Sequence, residues 1–130
     1  MRFGYAIAYV RDVGKTVDFW ESAFGLKRRF VDEGGQYAEM ETGETTLAFA
    51  SNALGDSNLP GGFRRNDPSG PPAGIEIALV TNDVEAAYRS ALDAGATQTA
   101  EPKEKPWGQT VAYVRDPEGI LVEIGDAVHD

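Results

Sequence analysis

A chain of 130 residues fits one ordinary domain and is long enough to bury a hydrophobic core. Its 42% apolar and 25% charged residues are those of a soluble globular protein, and no apolar run nears the roughly 20 residues that cross a bilayer. A formal net charge of -9, with no basic cluster longer than Lys27-Arg28-Arg29, argues against nucleic acid, while zero cysteines exclude a disulfide framework, a thiolate nucleophile and a Cys-ligated zinc site. Met1-Arg2-Phe3-Gly4 leads into strand-like residues without the basic, apolar and small-residue regions of a secretory signal, so the expected location is the cytoplasm.

Phe3 to Val10 is aromatic and aliphatic and predicts a buried strand. Asp12 stands where its carboxylate can accept from the free amides of a first helical turn. From Val13, the apolar positions Val17, Trp20 and Phe24 recur at helical spacing, with Gly25 as a left-handed stop. Lys27–Val31, Tyr37–Glu41 and Thr45–Ala50 then predict three short strands separated by Gly34-Gly35 and Gly43, at spacings suited to antiparallel hairpins. Residues 51–73 carry Gly55, Pro60-Gly61-Gly62, Asp67-Pro68 and Pro71-Pro72, the punctuation of a long linker that also drapes over a site.

The second half repeats the first. Ile75–Val80 predicts a strand, Asn82 with Glu85 a helix cap, and Val84, Ala87, Tyr88, Ala91 and Leu92 an apolar helical stripe ended by Gly95. Thr97–Ala100, Gln109–Arg115 and Leu121–Asp126 predict strands, the last two joined by the tight turn Asp116-Pro117-Glu118-Gly119. Laying Asp12 on Asp83 pairs Val13 with Val84 and superposes the preceding strands, an internal duplication. The expected class is α+β. Two tandem βαβββ modules, residues 3–50 and 75–126, make a curved, cup-like mixed sheet with helices on the outer faces, leaving the concave side for a ligand.

Several strings carry a family likeness. Tyr9-Val10-Arg11-Asp12-Val13 with Phe19-Trp20 and Phe24-Gly25-Leu26, then Asp83-Val84 with Ala94-Gly95-Ala96, then Pro106-Trp107-Gly108-Gln109 and Val114-Arg115-Asp116-Pro117-Glu118-Gly119 with Leu121 and Glu123, occur in order along nearly the whole chain. In these the chain resembles the vicinal oxygen chelate superfamily of glyoxalases, bleomycin resistance proteins and extradiol dioxygenases. The superfamily holds lyases, isomerases, dioxygenases and non-catalytic antibiotic binders, so the likeness implies a fold more sharply than a function.

Metal-dependent members hold a divalent ion with four His, Glu or Gln side chains from the first and last strands of each half. Carried over, the resemblance places those positions at Tyr5, Phe49, Glu76 and Glu123. Phe49 has no donor atom, and a tyrosine ligates only when ionised, from a free pKa near 10. His129, the one histidine, lies beside the C-terminus and outside the repeat. No cofactor is therefore expected, Glu76 and Glu123 being the sole candidate ligands for a divalent metal.

Strand alternation puts Tyr5, Ile7 and Tyr9 on one face, Leu47 and Phe49 beside them, and Glu76 with Glu123 on the matching face of the second half. The aromatic group reads either as core or as ligand contact, and the two carboxylates either as a solvated pair or as acid and base sharing a proton. Trp107 at the Pro106-Trp107-Gly108 turn is a rigid surface for stacking or a packed rim residue. Arg64 and Arg65 read as solvent-exposed, and the paired glycines as turns rather than a phosphate loop. The leading expectation is a protein that binds a small planar or cationic organic molecule without a complete metal site. Its alternative is a metal-dependent or carboxylate-based lyase, isomerase or dioxygenase, with Glu76 and Glu123 catalytic. A homodimer is expected from the resemblance, and neither nucleic acid nor a membrane as partner.

Overall fold

The computed structural model describes residues 1–127, which form eight strands and three helices. The chain divides into two compact units, Met1–Asn66 and Asp67 onward. Among the described residues no helix is long and apolar enough to cross a membrane.

In the first unit β1 (Tyr5–Val10) leads into α1 (Val13–Phe24), followed by β2 (Arg28–Val31), β3 (Tyr37–Met40) and β4 (Thr46–Ser51). Asp12 starts α1 by accepting the Lys15 amide at 2.9 Å, and Gly25 ends it at φ 72, a conformation only glycine takes cheaply. The helix buries Val13, Val17, Phe19 and Trp20, and Trp20 stacks on Phe49 of β4 with ring centroids 5.4 Å apart. Each such buried side chain is worth roughly 1.5–3 kcal/mol. The sheet order is β1-β4-β3-β2, with β1 and β4 parallel and the other pairs antiparallel.

The second unit repeats that plan in β5 (Ile77–Val80), α3 (Val84–Asp93), β6 (Thr97–Glu104), β7 (Thr110–Arg115) and β8 (Leu121–Gly125). Its order, β5-β8-β7-β6 with β5 and β8 parallel, is the same permutation, so the duplication read from Asp12 and Asp83 extends to topology. Tyr88 and Ala91 of α3 are buried, as are Val114, Val122 and Ile124 of the sheet. The architecture is α+β with two tandem βαβββ modules, each an open mixed sheet carrying its own helix.

Four local expectations need correction. The cap of α3 is Asp83, which accepts the Ala86 amide at 3.1 Å, rather than Asn82; Glu85 remains as a first-turn acid. Strand β6 runs to Glu104, past Ala100, because register shifts at Gln98/Ala100 and Ala100/Lys103 let it keep pairing with β7. Strand β1 is not buried throughout: it alternates, with Tyr5 and Ile7 exposed and Val10 buried. The linker contains a helix, α2 (Asn52–Asn58), capped by Ser51 Oγ accepting from Leu54 N at 3.1 Å. Glycine and proline density hid it, although the serine cap was visible.

After α2, residues 59–66 fold back over the first sheet. The Gly62 amide donates to Leu59 O at 2.8 Å to close a turn, Phe63 lies on Tyr9, and Asn66 Nδ2 donates to Tyr9 O at 3.0 Å. In the second unit Arg115 ties the segment after Asp67 to the β7–β8 turn, donating to Gly119 O, Gly70 O and Asp67 O at 3.0, 2.6 and 2.9 Å.

Candidate functional site

Each unit leaves one sheet face away from its helix, and the chemistry-bearing side chains collect there. In the second unit Glu123 of β8 pairs with Ala78 of β5 on one side and Tyr113 of β7 on the other, so the three share that face. Tyr113 donates its hydroxyl hydrogen to Glu123 Oε1 at 3.0 Å. Glu76 precedes β5 by one residue, two before Ala78, and its charge reaches both Glu123 and Tyr113.

The consequences are electrostatic. Glu76 is exposed as a residue, yet partial desolvation of its carboxyl, and then the Glu123 charge, push its pKa above the ordinary value. Tyr113 is pushed up to about 12, by burial first, then by its bond to Glu123 and the two negative charges. It therefore remains a hydroxyl donor at neutral pH. Among the described residues no Lys or Arg forms an ion pair with Glu76 or Glu123, whereas Glu39 and Glu41 of the first unit both have one.

In the first unit the β1–β4 register pairs Tyr5 with Thr46, Ile7 with Ala48 and Tyr9 with Ala50. On β3, Tyr37 and Glu39 stand opposite Ala50 and Ala48, so they join the same face. Tyr37 donates to Glu39 Oε2 at 2.8 Å; Arg29 Nη1 donates to Glu39 Oε1 at 2.9 Å, and its Nε and Nη2 fork onto Glu41. These bonds, to Glu41 first, raise the Arg29 pKa and lower that of Glu41, while burial and Glu39 push Tyr37 up to about 12. The first face is thus aromatic with its charge largely compensated, and the second is acidic with none.

Of the sequence-predicted site residues, Tyr5 and Ile7 are 55% and 48% exposed on the open face, and Tyr9 sits there half-buried under Phe63. Leu47 and Phe49 do not join them. Their register partners are Ala6 and Ala8, and Phe49 is 0% exposed against Trp20, which puts both in the helix-side core. A strand side chain changes face with each residue, so an expected register one place out moved both to the wrong side. Trp107 is 60% exposed at the β6–β7 turn, its Nε1 donating to Gln109 Oε1 at 2.8 Å while Gln109 Nε2 donates to Asp126 O at 2.7 Å. Arg65 is held by Asp56 at 2.8 Å. His129 lies outside the described residues. Sequence reading missed Arg29, Tyr37, Glu39 and Tyr113; the two-residue spacing of Tyr37 and Glu39 within one strand was the available signal.

A family model described as the Glyoxalase/Bleomycin resistance protein/Dioxygenase superfamily matches residues 2–124. The chain belongs to this superfamily. An uncharacterized protein, YraH, of Bacillus subtilis (strain 168) is 25% identical over 116 residues, spanning 88% of this chain and 90% of the relative. Among solved structures, a glyoxalase-related enzyme from Fulvimarina pelagi superposes with TM-score 0.83 at 17% identity, covering 98% of this chain and 88% of the other. A glyoxalase/bleomycin resistance protein/dioxygenase family enzyme from Burkholderia phytofirmans PsJN does so with TM-score 0.79 at 21% identity, covering 99% and 100%. At such identities the structures share a fold.

The superfamily's metal positions can be checked against the observed register. Ala48 is flanked by Ile7 and Glu39, as Glu123 is flanked by Ala78 and Tyr113, so the first-half counterpart of Glu123 is Ala48 rather than Phe49. The four positions then hold Tyr5, Ala48, Glu76 and Glu123. One alanine, one tyrosine and two carboxylates without an imidazole do not fit a four-ligand divalent site. Among the described residues no three His, Cys, Asp or Glu side chains are grouped to hold an ion.

Proposed function

We propose that this superfamily member binds a small cationic organic molecule on its second unit, using the acidic face of Glu76, Glu123 and Tyr113 for the charge and the exposed ring of Trp107 for planar groups. One observation carries the reading: two carboxylates on an open sheet face have no basic partner among the described residues, and partial desolvation already destabilises the charge of Glu76. A cation arriving there relieves both the desolvation and the mutual repulsion. The superfamily's name includes bleomycin resistance proteins, which supports sequestration of an organic ligand as the purpose. The reading takes the protein as a cytoplasmic homodimer, to be checked by fractionation and sedimentation equilibrium.

The test is a thermal-shift screen of planar and cationic compounds with chelator present. Hits should raise the melting temperature, since a ligand that binds only the folded state stabilises it by mass action. The double substitution Glu76→Gln, Glu123→Gln should abolish those shifts while the protein stays folded. A library without hits, or hits indifferent to the double substitution, overturns the proposal.

The raised pKa of Glu76 favours one second reading, a metal-free acid–base catalyst in which Glu76 and Glu123 exchange a proton with substrate. It requires turnover that survives chelation and disappears in Glu76→Gln. Binding without turnover leaves the first reading standing alone.

A further inference from the structure

Residues 59–66 place on Tyr9 an arrangement with the chemistry of a ligand. The Phe63 ring lies 4.9 Å from that of Tyr9, centroid to centroid, and the Arg65 guanidinium carbon stands 5.3 Å from the Phe63 centroid. Arg65 also pairs with Asp56 of α2 at 2.8 Å, with both side chains about half exposed. A flat ring on an aromatic platform, with a cation beside a carboxylate, is how a planar organic cation would be held.

The strap is fastened lightly. Besides the Phe63 and Arg65 contacts, its far end is tied by a bond from Asn66 Nδ2 to Tyr9 O, and Phe63 itself is only half-buried. Gly55 makes room for it: a Cβ there would lie 2.6 Å from Phe63 Cε1 and 2.9 Å from Tyr9 Cδ1. The turn around Gly62, at φ 77, closes one end of the segment.

We propose that the strap is an autoinhibitory surrogate. Phe63 and Arg65 cover a subsite whose ligand is a planar organic cation, its ring replacing Phe63 on Tyr9 and its charge replacing Arg65 beside Asp56. This rests on the functional reading above only for the class of ligand; the residues and the contact are different ones. Strap and ligand compete, so apparent affinity is lowered by the fraction of molecules in which the strap is seated.

Proflavine, a planar monocation, serves as the probe, followed by its fluorescence on the full chain. Phe63→Ala is expected to bind it about 2- to 10-fold more tightly than the wild type, the range set by an aromatic contact of this kind. Asn66→Ala, which leaves both rings in place, should act in the same direction to a smaller extent and carries the test if Phe63→Ala fails to fold. In the opened variant, Asp56→Asn and Tyr9→Leu should each weaken binding. Equal or weaker binding in both strap variants overturns the proposal, as does tightening that persists in Tyr9→Leu. If the wild type binds and the strap variants bind no better, only the surrogate fails. If neither wild type nor variants bind, the ligand class fails with it.

Discussion

Tyr113 donates to Glu123 Oε1 at 3.0 Å from the directly opposed position on the neighbouring strand. The bond needs a protonated phenol, and the flanking Glu76 charge disfavours tyrosinate further. In an alkaline titration followed by tyrosinate absorbance, Tyr113→Phe should therefore delete a transition near pH 12. Glu123→Gln should move that transition down without returning it fully to the ordinary value, because burial, the largest cause, remains. Loss of an ordinary tyrosine transition in Tyr113→Phe would count against the arrangement.

Glu76 gives a pH-dependent stability with a definite sign. Its folded pKa lies above the ordinary 4.5, so the folded state binds the proton more tightly than the unfolded chain does. The stabilising contribution is fully present below the unfolded pKa and lost as pH rises through the folded one. At neutral pH the ionised group is a net cost. Glu76→Gln is expected to melt higher than the wild type at pH 7, with the difference shrinking as pH falls below the ordinary carboxylate range. Thermal denaturation at pH 7 and pH 3.5 checks this, and a difference independent of pH would contradict it.

The fold was legible where one signal set one structure. Asp12 and Asp83 precede apolar helical stripes, Gly25 and Gly95 follow them, and the repeat between them fixed the element order of both halves. The faces were harder to read. Glu123 stands opposite Ala78 as the expected parity has it, but hairpin length is not visible as apolar pattern in a strand whose residues are all buried, and β4 is buried at all six positions. Pattern alone therefore puts Leu47 and Phe49 on the face of Tyr5, where Thr46 and Ala48 stand. Arg29 was hidden for another reason: its partners Glu39, Glu41 and Thr46 lie 10, 12 and 17 residues away, beyond any local motif.

The corrected parity is itself testable. Phe49→Ala empties a fully buried site against Trp20 and should cost about 3–5 kcal/mol in chemical denaturation. Ile7→Ala, on the half-exposed face, should cost well under half of that. Comparable losses at the two positions would reverse the assignment of faces.

Arg115 makes a stability prediction in the second unit. Its guanidinium satisfies three backbone carbonyls and carries the segment Asp67–Gly70 onto the β7–β8 turn. That turn is also braced by Asp116, 1% exposed, whose Oδ1 accepts from Glu118 N and Ile120 N at 2.9 Å each. Arg115→Met keeps the aliphatic stem, loses the donors, and should cost roughly 1–3 kcal/mol. Hydrogen exchange should quicken at Gly70 and Gly119, whose amides bond Asp67 O and Asp116 O within the two joined turns. Unchanged exchange would mean that the turns hold without the clamp.

Gly55 sets two ordinary rules against each other. In an exposed helix interior Gly→Ala gains about 1 kcal/mol of helix propensity, and α2 is short enough to profit. Here the added Cβ would meet Phe63 at 2.6 Å and Tyr9 at 2.9 Å, so a ring must move. Overpacking of this kind costs about 1–3 kcal/mol, enough to outweigh the propensity gain. Gly55→Ala alone should therefore destabilise the chain. In a Phe63→Ala background the largest clash is gone while Tyr9 still resists, so the same substitution should cost less or turn favourable. A double-mutant cycle in denaturant reads the difference as coupling between positions 55 and 63, and simple additivity would show that the two do not touch.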